Sequence, residues 1–138
     1  MRLFTSRYAN PDLANRPDLV KVKISVGVPR GRHIGYRVEA QVWNLEPTWR
    51  MVQDVRKGII TREQYEVAYS KTLAELDIGF LSLQLEHIGR TNGNRDLVLL
   101  CFEDLRKPGA WCHRRMFADW WQKQTGEEVP ELEEENHA

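Results

Sequence analysis

Apolar side chains recur along this chain in two rhythms. From Leu19 onward Val20, Val22, Ile24, Val26 and Val28 alternate with other residues, the period of two that marks a strand. The intervening polar positions change from Lys21 and Lys23 to Ser25 and Gly27, so burial is expected to deepen until Pro29-Arg30-Gly31 ends the run. Leu3-Phe4-Thr5-Ser6 reads as a shorter strand, followed by loop at Asn10-Pro11 and Arg16-Pro17. Leu97-Val98-Leu99-Leu100 is an unbroken apolar run, as expected of a strand buried on both faces. Between residues 32 and 44 the signal is weak: Tyr36, Val38, Ala40 and Val42 alternate in a way that suits an edge strand or an ordered loop.

The second rhythm has spacings of three and four. Glu46-Pro47 opens a helix with proline at an early position, where its missing N–H costs nothing. Trp49, Val52 and Val55 mark its expected buried face, and Gly58 its end. Thr61 with Gln64 forms a capping box for the next helix, along which Tyr65, Ala68, Tyr69, Thr72, Leu73 and Leu76 fall on one face. Leu81, Leu85 and Ile88 give a third helix, stopped by Gly89 and the turn Asn92-Gly93-Asn94. A last helix is expected over residues 112–124, burying Met116, Phe117 and Trp120 and ending at Gly126. Residues 127–138 are acidic and aperiodic, and are expected to fray.

The order strand, strand, helix, helix, helix, strand, helix points to an α/β fold. We expect a single small domain over residues 1–126, with a mainly parallel sheet flanked by helices in Rossmann-like layers. Lys plus Arg equals Asp plus Glu at 20 each, which argues against non-specific nucleic-acid binding. A local basic patch remains compatible with that balance, because acids concentrate in the terminal segment. No apolar run reaches the roughly 20 residues of a transmembrane helix, and the first residues are too poor in hydrophobes for a secretory signal. Two cysteines make no disulfide framework. The expectation is a reduced, cytoplasmic protein with no membrane partner and no cofactor.

In a parallel sheet the carboxyl ends of the strands share one edge, and helix N-termini there attract anions. That edge is expected to gather Thr5, Ser6, Arg7 and Arg30 with Cys101, Glu103, Cys112, His113, Arg114 and Arg115. Cys112, at a helix N-terminus beside His113 and two arginines, is placed to ionise and attack an electrophile; its other reading is a small residue packed under the Trp111 loop. A phosphatase spacing of cysteine, five residues and arginine is absent, since residue 118 is Ala. Cys101, late in an apolar strand, reads as a small hydrophobe. Glu103 is either a general acid or base, or a carboxylate paired with Arg114 or capping the last helix. His113 either donates protons near neutral pH or holds a backbone carbonyl. Arg7, Arg30, Arg114 and Arg115 together suit a phosphate or carboxylate. No metal site is expected from Cys101, Cys112 and His113: two close ligand pairs are lacking, and adjacent residues on a helix diverge. Trp111 and Trp121 fit the core less easily than the other aromatics; each is read as core, with stacking on a nucleobase or a protein contact as the other reading.

The sequence Leu99-Leu100-Cys101-Phe102-Glu103, a short loop, and Cys112-His113-Arg114-Arg115 opening a Trp-rich helix resembles the bacterial and phage family called domain of unknown function 488. Leu3-Phe4-Thr5-Ser6-Arg7-Tyr8, Ile24-Ser25-Val26-Gly27-Val28-Pro29, and Leu45-Glu46-Pro47-Thr48-Trp49 followed by Gly58-Ile59-Ile60-Thr61 and Tyr65 extend the resemblance over residues 2–122. It implies a compact α/β fold with a site around Cys101, Glu103, Cys112, His113 and Arg114, and it implies no particular reaction. The functional expectation is a protein that binds a phosphorylated or nucleotide-like small molecule at the strand ends, as a hydrolase or group-transfer enzyme. Arg7, Arg114 and Arg115 would hold the anion, Glu103 or His113 would move protons, and Cys112 would be nucleophile or positioning group. The rival expectation is a non-enzymatic module that sequesters a metabolite or docks a partner protein.

Overall fold

A strand with no polar side chain between Leu97 and Leu100 must be covered on both faces, and it is most stable when paired on both edges. The computed structural model, which describes residues 1–29 and 34–135, places it so. The sheet comprises β1 (Leu3–Arg7), β2 (Leu19–Lys23), β3 (Ala40–Gln41) and β4 (Asp96–Cys101), in the order β1-β4-β2-β3. Every pairing is parallel, with Leu3 opposite Leu97 and Leu19 opposite Asp96. The helices are α1 (Trp49–Arg56), α2 (Arg62–Ala74), α3 (Ile78–Thr91) and α4 (His113–Thr125). This is a small α/β domain. Among the described residues no helix is long and apolar enough to cross a membrane.

The helices gather on one face. Val20, Val22, Leu97 and Leu99 meet Tyr69 and Leu73 of α2, Leu81 and Leu85 of α3, and Phe117 and Trp121 of α4. The other face carries Leu19, Val98 and Leu100, covered by Tyr8, Leu13, Tyr36 and Val38 from loops. With both faces covered, even Lys21 and Lys23 are buried, at 5% and 9% exposed. Their ammonium groups reach partners: Lys21 Nζ donates to the Arg16 carbonyl at 2.5 Å, and Lys23 pairs with Glu46.

Several boundaries differ from the sequence expectation. β2 stops at Lys23 rather than running to Val28, because β4 ends at Cys101 and offers no ladder beyond it; Val28 is 62% exposed. The expected strand end at Arg30 and Gly31 lies outside the described residues. α1 begins after Thr48, whose hydroxyl accepts from the Met51 N–H, and it turns Trp49 outward while Met51 and Val55 pack. In α4 Trp121, not Trp120, is fully buried, and its Nε1 donates to Glu127. Trp121 is therefore core and takes no stacking or docking role. The capping box of Thr61 and Gln64 forms as the sequence predicts.

The largest correction concerns the acidic end. Residues 127–135 do not fray: they run beside β1, where Thr5 N–H donates to Pro130 O (3.0 Å) and Leu132 N–H to Thr5 O (2.8 Å). Val129 enters the core at 2% exposed. Composition alone favours fraying, but the carboxylates meet arginines. Glu131 accepts from Arg114 Nε and Nη2 at 3.0 and 2.8 Å, and Glu134 accepts from Arg7 Nε and Nη2. Arg114 is fully buried, so losing its carboxylate leaves an uncompensated charge in the interior. Ending the chain after Gly126 is expected to destabilise it by about 4 kcal/mol from the lost ion pair and Val129 burial. That corresponds to a melting temperature lower by roughly 14 °C. Equal melting of the shortened and full chains would show the segment to be a passive tail.

Candidate active site

The parallel register brings three strand ends to one level, and the next residues continue the bonding. Tyr8 N–H donates to Cys101 O at 2.9 Å and Ile24 N–H to Leu100 O at 3.2 Å. From Cys101 the chain leaves the sheet through Phe102, which packs on the Tyr8 ring, and Glu103. The loop at residues 104–111 is tied by Asp104, which accepts from the Arg106 backbone and guanidinium, and it turns at Gly109 with φ +74°. It delivers Cys112 as the N-cap of α4, in an extended conformation (φ −155°, ψ 147°).

That conformation decides the geometry. Cys112 lies outside the helical spiral, so its side chain and that of His113 converge rather than diverge. Cys112 Sγ lies 3.7 Å from His113 Nδ1, and Cys101 Sγ lies 3.5 Å from the same nitrogen. The sequence argument that these neighbours cannot face one point therefore fails, because it assumed a helical Cys112. His113 is 4% exposed, and its Nε2 sits 2.7 Å from the Ile24 carbonyl. A carbonyl only accepts, so Nε2 carries the proton and Nδ1 faces the two sulfurs. Tyr69 stands edge-on to the imidazole at 5.2 Å, with its hydroxyl donating to Leu45 O.

Two adjacent buried thiols cannot share the same ionisation. Burial raises Cys101 well above the ordinary thiol value, and the neighbouring Cys112 adds to the shift. Burial opposes ionisation of Cys112 too. For Cys112, however, hydrogen bonds from Cys101 and His113 and the charges of His113 and Arg114 outweigh burial and hold it well below the ordinary value. His113 is raised: desolvation acts against its charge, but the Cys112 hydrogen bond and charge and the Ile24 carbonyl prevail. Glu103 is exposed as a residue, yet its carboxyl end leans back to 3.2 Å from Cys101 Sγ. Burial of that end and the Cys112 charge raise it.

Glu103, Cys112 and His113 form one wall of a cleft of about 360 Å³, lined also by Val52, Val55, Arg56, Tyr65, Gly109, Ala110 and Trp111. That size lies in the range of small-molecule sites. Trp111 lines the cleft edge-on to Tyr65 at 4.9 Å, with the Arg62 guanidinium 5.4 Å from its ring. Arg56 and Tyr65 were missed as site residues. Tyr65 reads as plain helix core, and nothing in the helical spacing of Arg56 marks the face it would occupy.

The remaining expected ligand-binding residues lie on the β1 side. Arg7, Arg114 and Arg115 do meet at one edge, but each of them already donates within the chain. Arg7 holds Glu134, Arg114 holds Glu131 and the Glu103 carbonyl, and Arg115 Nη1 donates to Thr5 Oγ1 and Val129 O. Thr5 and Ser6 are buried, at 0% and 1% exposed; Thr5 Oγ1 donates to Glu131, and Ser6 Oγ accepts from Asn10. The terminal segment supplies the Glu131 and Glu134 carboxylates, so among the described residues Arg114 and Arg7 are already paired within the chain. Arg30 lies outside the described residues.

Fold and site together define a small parallel α/β domain with a thiol–imidazole–carboxylate centre at the carboxyl end of its middle strand. No protein-family model, curated protein or solved structure matches the chain.

The electrostatics make the two thiols unequal, and alkylation reads this directly. In folded, chelator-dialysed protein Cys112 is expected to react with iodoacetamide at a pH well under the ordinary thiol value of about 8.5. Cys101 should stay silent over that range, as peptide mapping would show. A shared onset near the ordinary value at both residues would refute the inequality.

Proposed function

We propose that the cleft binds a phosphorylated or nucleotide-like small molecule and that its thiol–imidazole–carboxylate wall catalyses hydrolysis or group transfer upon it. The observation that carries this reading is the convergence of Cys112, His113 and Glu103 on one cleft at the strand ends. Cys112 supplies a thiolate, as nucleophile or as the group that positions the reacting centre. Glu103, raised by burial and the Cys112 charge, is suited to carry a proton between water and the leaving group. His113 positions the sulfur and balances its charge. Trp111, backed by the buried Tyr65, offers aromatic surface to a base, and Arg56 brings a guanidinium for a phosphate. The resemblance to the domain of unknown function 488 family rests on these same residues, and membership in that family is part of the proposal.

A second reading has its own support. Trp43, Trp49, Phe80 and Leu83 are 61% to 67% exposed, more large apolar surface than the core needs, as in a module that docks a protein.

Thermal melting against nucleotides, sugar phosphates and related anions separates the two. A ligand present at about a hundred times its dissociation constant adds about 2.7 kcal/mol, which raises the melting temperature by about 9 °C. On the substrate so found, Glu103→Gln should keep the ligand-induced shift and lose roughly 10²-fold or more in kcat. A flat panel would favour the docking module, and full turnover by Glu103→Gln would remove the proton-transfer role.

A further inference from the structure

Cys101, Cys112 and His113 present three ligand-capable atoms, two Sγ and one Nδ1, that all lie within 4.8 Å of one another. Each of the three residues is 4% exposed. The two S···N separations are 3.5 and 3.7 Å. A tetrahedral zinc ion, with bonds of about 2.3 Å to sulfur and about 2.0 Å to nitrogen, sets that edge at about 3.5 Å. Two edges of the triangle therefore already have nearly the dimensions of a metal tetrahedron, and the third, between the two sulfurs, lies within 4.8 Å.

The surroundings point the same way. The proton on His113 Nε2 is committed to the Ile24 carbonyl, the outer-shell contact that fixes the tautomer and orientation of a metal-binding imidazole. The supports are firm: Cys101 ends the central strand, and Cys112 and His113 start a 13-residue helix. Thiolate and imidazole donors select zinc-like ions over magnesium or calcium. Two cysteines and one histidine, with a side left toward a cleft, make the donor set of an open zinc site rather than a closed structural one. Cys112, His113 and Glu103 all line the cleft.

We infer that this triangle binds one divalent transition-metal ion of the zinc class through Cys101 Sγ, Cys112 Sγ and His113 Nδ1, with the fourth position open to the cleft beside Glu103. The inference deepens the reading of the cleft as a reaction site, and rests on that reading only for what occupies the fourth position. It assigns Cys112 the role of holding the reactive group, and it gives Cys101 a role beyond packing.

The test uses the full chain, purified under reducing conditions without chelator. Elemental analysis is expected to find one zinc ion per chain. Replacing it with Co²⁺ should give intense visible bands and a near-ultraviolet thiolate-to-cobalt charge-transfer band, which report tetrahedral coordination by sulfur. Cys112→Ser and His113→Ala should each weaken Zn²⁺ binding by more than about a hundredfold, beyond the 10–100-fold loss typical of an outer-shell change. Glu103→Gln should keep the ion, since its carboxylate borders the open position. If a substituted chain fails to fold, the wild-type cobalt spectrum and the melting temperature with and without chelator decide the matter. A wild-type protein that lacks metal as purified and shows no cobalt bands on titration overturns the inference. A Cys101–Cys112 disulfide that, once reduced, takes up no ion does the same. The ligand panel fails or succeeds separately: metal-free protein that still gains stability from a nucleotide loses only the metal assignment. Metal-loaded protein with a flat panel loses only the small-molecule reading.

Discussion

The pairing of β4 between β1 and β2 is the constraint on which the site depends. Because all three strands run the same way, their ends arrive together, and the ladder carries one residue further through Tyr8 N–H to Cys101 O and Ile24 N–H to Leu100 O. Those bonds hold Ile24 beside the start of α4, so its free carbonyl lies 2.7 Å from His113 Nε2. One backbone acceptor thereby fixes which imidazole nitrogen faces the sulfurs. A one-residue slip of β2 would turn Val20 and Val22 away from the helices and move that acceptor as well. Core packing and site geometry are specified by the same register.

The terminal segment shows why zero net charge says little about individual charges. Arg114 is fully buried, and a guanidinium in the interior requires a carboxylate. Glu131 supplies it, and Glu134 does the same for the half-buried Arg7. The acids that look like a solvated tail are the counter-ions of the folded part. Arg114 in turn donates to the Glu103 carbonyl, so the segment supports the loop that carries the cleft carboxylate. Arg56 lines the cleft instead, from a helix whose sequence gives no hint of function.

Legibility followed the physics of each element. The alternation in β2, the apolar run of β4 and the capping box of α2 are local signals, and the parallel α/β arrangement followed from their order. The end of β2 was not local: its alternation continues to Val28, but a strand lasts only as long as its neighbour, and β4 turns away at Cys101. The outward turn of Trp49 depends on where Thr48 caps α1, a shift too small for spacing to resolve. At the site, the residue types and their place at the strand end were readable. The convergence of Cys112 and His113 was not, because it depends on a single backbone conformation at the helix N-cap. The segregation of the arginines from the cleft was hidden for a related reason. Their partners lie about 17 and 127 residues away in sequence, as the Arg114–Glu131 and Arg7–Glu134 contacts show.

Two thiols, an imidazole and a carboxylate in one small volume raise an electrostatic problem. Cys101 and Glu103 are both shifted toward their protonated forms, while Cys112 is shifted toward its thiolate by neighbours that include the buried Arg114. Arg114 Nη1 has no hydrogen-bond partner among the described residues, so part of that positive charge is left to act through space. A purely structural cluster would gain little from such an arrangement, since two apolar side chains of similar size would pack at the strand end without desolvating any charge. The arrangement is reasonable if the thiolate is needed, whether toward a substrate or toward a metal ion. Each use calls for the same three supports: a strand that ends at Cys101, an N-cap that turns Cys112 inward, and a backbone carbonyl that holds His113 in one tautomer.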